Sequence, residues 1–110
     1  MLNFSHKKGD TFSAVPFQIN KDSSALDLTD SIIRMQLRKE CGGIVYLSLT
    51  SEDDDGITIT DAAAGEFEIN QQVIDIEAGT YVYDIEIKFA DDTVKTWISG
   101  EFLITCDITR

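Results

Sequence analysis

Apolar and polar residues alternate with a period of two through most of the chain, and that is the signature of half-buried strands. Thr11 to Ile19 puts Val15, Phe17 and Ile19 on one face. Pro16 cannot donate to a ladder, so this segment is expected at a sheet edge. Asn20 to Ser24 is a turn cluster. Asp30 to Lys39 follows as a strand, with Ile33, Met35 and Leu37 opposed to Arg34, Gln36 and Arg38. Cys41-Gly42-Gly43 breaks it. Ile44 to Thr50 resumes, with Val45, Leu47 and Leu49 read as inward. Ser51 to Gly56 is a polar loop, and Ile57 to Thr60 and Glu66 to Asn70 are short strands about a turn at Asp61 to Gly65. Gln71 to Ala78 is ambiguous: Val73, Ile74 and Ile76 fit one helical turn ended by Gly79. Thr80 to Phe89 is the longest clean alternation. After a turn at Ala90 to Thr93, Val94 to Thr105 closes the pattern with Ile98, Phe102 and Ile104 in phase.

About seven strands at such intervals, with no crossover helix, predict an all-β, immunoglobulin-like antiparallel β-sandwich. An up-and-down barrel is the alternative. Gly79 and Tyr81 favour the sandwich, because a Tyr just after a turn at the start of the penultimate strand is the position of the tyrosine corner. The chain divides into an N-terminal arm, residues 1–9, and a single domain, residues 10–110. The arm is expected either to lie across a neighbouring subunit or to fray.

Composition narrows the function. The formal net charge of −11 over 110 residues disfavours nucleic acid and anionic membranes as partners. It suits solubility or a basic protein partner. No apolar run is long enough to span a membrane. Lys7 and Lys8 lead into polar sequence, so no signal peptide is read and synthesis in the cytoplasm is expected. Cys41 and Cys106 do not occupy the positions of the inter-sheet disulfide of secreted immunoglobulin domains, where the later strand carries Tyr83. Both are expected to be reduced thiols.

Chemistry is sparse. His6 is the single histidine and is expected as a solvated tail residue, so a nucleophile–histidine pair is not expected. The cysteines have no His near them to make a zinc motif. There is no phosphate-cradling glycine loop. Glu52 to Asp55 offers oxygen ligands of the kind calcium takes, but without EF-hand spacing it reads first as a solvated turn. No catalytic residue, cofactor site, metal site or small-molecule substrate is predicted.

Apolar side chains on the nominally polar strand faces are more informative. Simple alternation turns Ile44, Tyr46, Val82, Trp97 and Leu103 outward, on three strands that share a sheet in an immunoglobulin-type sandwich. They are expected to form a protein interface in which Trp97 and Tyr46 serve as anchors. The competing expectation is a bulge marked by Gly100 that turns Trp97 into the core.

Several segments together resemble a known family. They are Leu28-Thr29-Asp30 leading to Ile33-Arg34-Met35-Gln36-Leu37-Arg38, then Gly56-Ile57-Thr58-Ile59 and Gly65-Glu66-Phe67. They continue with Gly79-Thr80-Tyr81-Val82-Tyr83-Asp84-Ile85-Glu86, Gly100, and the ending Asp107-Ile108-Thr109-Arg110. From Thr11 to Arg110 the chain is similar to the immunoglobulin-like structural proteins of tailed phages and prophages, including the N-terminal domain of the baseplate upper protein. One departure is Asp91-Asp92-Thr93, where relatives usually carry Asp-Gly. The resemblance implies a non-enzymatic virion component of tail, neck or baseplate. Its partners would be other phage structural proteins or further copies of itself. The alternative is a sandwich that binds carbohydrate or a host receptor through Tyr46 and Trp97.

Overall fold

A computed structural model describes residues 3–21 and 23–106. The family-like ending at Asp107 to Arg110 lies outside the described residues, as do Met1 and Leu2 of the expected arm and Asp22 of the first turn cluster. The strands are β1 (Phe4–Lys7), β2 (Thr11–Phe12), β3 (Val15–Gln18), β4 (Asn20–Lys21), β5 (Ser24–Ala25) and β6 (Ile32–Arg38). They continue with β7 (Val45–Thr50), β8 (Ile57–Asp61), β9 (Glu66–Ile69), β10 (Gln72–Val73), β11 (Gly79–Lys88) and β12 (Val94–Thr105). A five-stranded sheet, in the order β1-β12-β11-β6-β7, faces a three-stranded sheet, β3-β9-β8. Two short ladders, β10-β2 and β4-β5, close the sides. The protein is an all-β, immunoglobulin-like β-sandwich, as its alternation predicts.

The core lies between the sheets. From the larger sheet, Ile33, Met35 and Leu37 of β6, Tyr81, Tyr83, Ile85 and Ile87 of β11, and Phe102 and Ile104 of β12 all point inward and are buried. Ile57, Phe67 and Ile69 meet them from the smaller sheet. Removing each such side chain from water contributes on the order of 1.5–3 kcal/mol. Phe17 stacks on Phe67 at 5.1 Å, and Phe12 bridges the layers to Phe102 at 5.5 Å. The edge position expected from Pro16 holds: among the described residues β3 is the outer strand of its sheet and pairs only with β9.

Two segments depart from expectation. Residues 4–7, expected as part of an arm, form β1 in this chain's own sheet. It pairs parallel to β12, with Phe4 opposite Phe102 and Lys7 opposite Thr105, so the sandwich is not wholly antiparallel. Phe4 explains this, because its ring sits 5.2–5.9 Å from Phe12, Tyr83 and Phe102 and anchors the strand on the core. His6 is accordingly half-buried, edge-on to Phe12 and 2.9 Å from the Asp10 carbonyl, not a solvated tail residue. Gln71 to Ala78 forms no helical turn. Gln72–Val73 instead pairs with Thr11–Phe12, and Ile74 plugs the core. Its apolar spacing served burial from an extended segment, which a short window cannot distinguish from one turn of helix.

The turn at Gly65 is the tightest constraint on the smaller sheet. Gly65 has φ +70°, and a Cβ there would stand 2.5 Å from the Ile19 carbonyl oxygen and 2.7 Å from that of Leu26. Both obstacles are backbone and cannot swing aside. Gly65→Ala is expected to lower unfolding free energy by at least about 2 kcal/mol, from left-handed strain plus collision. Urea denaturation checks this, and an unchanged midpoint would show that the turn can relax.

Candidate interaction surface

The three strands expected to share a sheet do share it, but β6 lies between β11 and β7. The face expected from them is therefore not continuous, and two of its five residues turn the other way. The cause in both cases is a β-bulge. Leu37 pairs with Leu47 but Arg38 pairs with Val45, which leaves Tyr46 as an extra residue. Ile85 pairs with Ile98 but Glu86 pairs with Thr96, which leaves Trp97 as another. A bulge resets the alternation and brings its extra side chain toward its neighbour's face. Tyr46 and Trp97 both pack against the core as a result. Tyr46 lies edge-on to Tyr81 at 5.2 Å. The phase reversal entertained for Trp97 occurs, but at Trp97 itself, since Gly100 stands in register opposite Tyr83.

Ile44, Val82 and Leu103 remain exposed, at 76%, 39% and 40%. Val82 and Leu103 sit on adjacent strands, with Val82 opposite Glu101 and Leu103 opposite Thr80. Beside Val82, a shallow groove of about 430 Å³ crosses the outer face between Gln36, Arg38, Asp84, Glu86, Thr96 and Ser99. Its rim is fixed by Arg38, which donates to the Gly43 carbonyl at 2.8 Å and to Gln36 Oε1 at 3.0 Å. Ile44 stands apart, in the turn ahead of β7. Sequence reasoning missed Val45 and Val94, which are 37% and 50% exposed. The same two bulges displaced them, and no local residue signal marks either one.

Tyr81 makes the backbone bond that a tyrosine corner is defined by, and Gly79 is the first residue of β11. The buried Tyr81 hydroxyl donates to the backbone carbonyl of Glu77. Lys39 holds the Glu77 carboxylate at 3.3 Å and spans the rings of Tyr46 and Tyr81. That carboxylate raises the Lys39 pKa, and burial raises that of Tyr81. Burial also pushes the Tyr83 hydroxyl up to about 12.

The remaining candidates form no metal or disulfide site among the described residues. Cys41 and Cys106 are exposed and form no disulfide. Among the described residues, no three His, Cys, Asp or Glu side chains converge as a metal site would require. Glu52–Asp54 is a single 3₁₀ turn that leads into Gly56. A second cleft, of about 420 Å³, lies between Leu26, Phe89 and Trp97, with Asp27, Asp91 and two lysines at its mouth. Both carboxylates there are engaged locally: Asp27 accepts from the Thr29 hydroxyl and Asp91 from the Thr93 N–H, which lowers each pKa. The Asp91 turn also settles the departure from Asp-Gly, because Asp92 takes the left-handed φ of 69° that glycine usually supplies.

No protein-family model matches the chain, and no curated protein is significantly similar to it. The solved structure of CopC from Methylosinus trichosporium OB3b is similar at 13% identity and a TM-score of 0.49, over 94% of this chain and 84% of that one. That likeness is too remote to bear on activity or ligand.

Trp97→Ala is expected to lower unfolding free energy by about 2–4 kcal/mol, the cost of emptying a core-facing site. Leu103→Asp, on the exposed face, is expected to change it by less than about 1 kcal/mol. Thermal melts of the two variants separate these roles. A pH series tests Tyr83. The unfolded hydroxyl ionises near its ordinary value of about 10, whereas the folded one resists to about 12. Stability is therefore full below the unfolded value and declines as pH rises between the two. Tyr83→Phe should flatten that decline, and an unchanged slope would place the ionisation elsewhere.

Proposed function

We propose that this protein is a non-enzymatic structural component of a tailed-phage particle, working through protein–protein contacts. The observation that carries this reading is an asymmetry of the two sheets. Of the exposed large apolar side chains, Ile44, Val45, Val82, Val94 and Leu103 all belong to the five-stranded sheet and its turns, whereas Val73 lies on the short β10. The three-stranded sheet exposes none among its described residues. Apolar side chains gathered on one side of an otherwise acidic molecule suit burial against a neighbour. The resemblance through Gly79 to Glu86 supports the reading further, while the bond of Tyr81 to Glu77 belongs to the sandwich fold in general. The alternative of a carbohydrate or receptor site loses the residues that motivated it, since Tyr46 and Trp97 face the core from different strands.

Quantitative mass spectrometry of purified particles from an induced lysate tests the reading. A fixed ratio to the major tail protein is expected, and absence from intact particles would overturn it. A Val82→Asp, Leu103→Asp double variant should keep a near-native melting temperature yet fall at least about tenfold in incorporation, the equivalent of about 1.4 kcal/mol.

A further inference from the structure

The two larger sheets have four outer edges: β1, β7, β3 and β8. Soluble proteins blunt such edges with charge or proline, because a row of unpaired backbone groups templates pairing with another chain. Three of these edges are blunted. β1 ends in Lys7, β3 contains Pro16, and β8 ends in Asp61. β7 carries neither device. It lies within Cys41 to Ser51, a run without a single charged residue in a chain of net charge −11. Its sequence, Val45-Tyr46-Leu47-Ser48-Leu49-Thr50, is rich in residues that favour strands, and two exposed apolar side chains, Ile44 and Val45, stand at its start.

The open part of the edge can be located. Ser51 N–H donates inward to the Ile33 carbonyl of β6, while Thr50 N–H donates to Asp55 in the following turn. Alternation along the ladder then turns the N–H and C=O of Ser48 outward, away from β6. Ser48 is exposed. The turn caps the end of the strand at Thr50 and the bulge bends its start at Tyr46, so the straight open window is Leu47–Leu49.

We infer that this window pairs antiparallel with the same strand of a second copy, about a two-fold axis near Ser48. Charge selects both the occupant and the direction. An uncharged strand meets no like charge when it faces itself, although the rest of the molecule is strongly acidic. Antiparallel pairing also sets the start of each strand beside the end of the other. Arg38 and Lys39 lie at the start, beside Glu40 and the Glu77 carboxylate that Lys39 holds, so this end is near neutral. At the end lies the acidic turn Glu52, Asp53, Asp54 and Asp55. Parallel pairing would stack those acidic turns on each other. The interface is isologous, closes at two copies, and extends the five-stranded sheet continuously across both.

The inference goes beyond the particle reading and stands without it, because the purified chain alone tests it. Sedimentation equilibrium of the native chain up to millimolar concentration should show a monomer–dimer equilibrium. Amide exchange should slow at Ser48 as dimer forms. Ser48→Lys places two like charges near the axis without touching the core, so it should keep the monomer's circular dichroism and melting temperature while weakening association at least about tenfold. A native chain that stays monomeric throughout would overturn the inference. So would a dimer that survives Ser48→Lys or leaves Ser48 exchange unchanged.

Discussion

The structure depends on β11. It is the middle strand of the larger sheet, paired along most of its length with β6 on one side and β12 on the other. Its inward side chains, Tyr81, Tyr83, Ile85 and Ile87, are all buried. A strand bonded on both edges and covered on one face has no slack in register, because a slip of one residue would turn those four side chains to solvent. The tyrosine corner fixes the strand's starting point through Glu77. Everything else is placed relative to that axis: β6 and β12 by its ladders, β7 and β1 by theirs, and the smaller sheet by contact with the side chains it projects.

Most of this was legible in the sequence, since alternation is a direct record of which face is buried. Six strands, β6 to β9, β11 and β12, lie within a residue or two of the segments that alternation marks, whereas Thr11 to Ile19 ran β2 and β3 together. The edge position of Pro16 and the backbone bond of Tyr81 followed from backbone chemistry. What could not be read were the interruptions. An inserted residue at Tyr46 or Trp97 carries no mark of its own, yet it reverses the meaning of every position beyond it until the next reset. β1 was missed for a different reason. A four-residue strand flanked by lysines looks like a tail until Phe4 is seen among Phe12, Tyr83 and Phe102.

The candidate surface changed with those bulges. Five residues expected on one face became three, in two places, and the two lost were the aromatic anchors. Core packing claimed both rings, and the indole N–H of Trp97 is buried without a hydrogen-bond partner among the described residues. Such a group costs on the order of 1–3 kcal/mol, which the burial of the ring offsets. What remains outside is aliphatic and dispersed over one sheet, a surface suited to a broad, flat contact more than to a pocketed ligand.

The parallel ladder of β1 against β12 has a mechanical consequence. Phe4 pairs with Phe102 and Lys7 with Thr105, strands nearly a hundred positions apart running in the same direction. Tension drawn outward from the start of β1 and the end of β12 therefore pulls along the ladder and strains its hydrogen bonds together, whereas a terminal hairpin would unzip one bond at a time. The ladder acts as a shear clamp, and a domain held by it resists stretching at both ends more than its equilibrium stability alone would suggest.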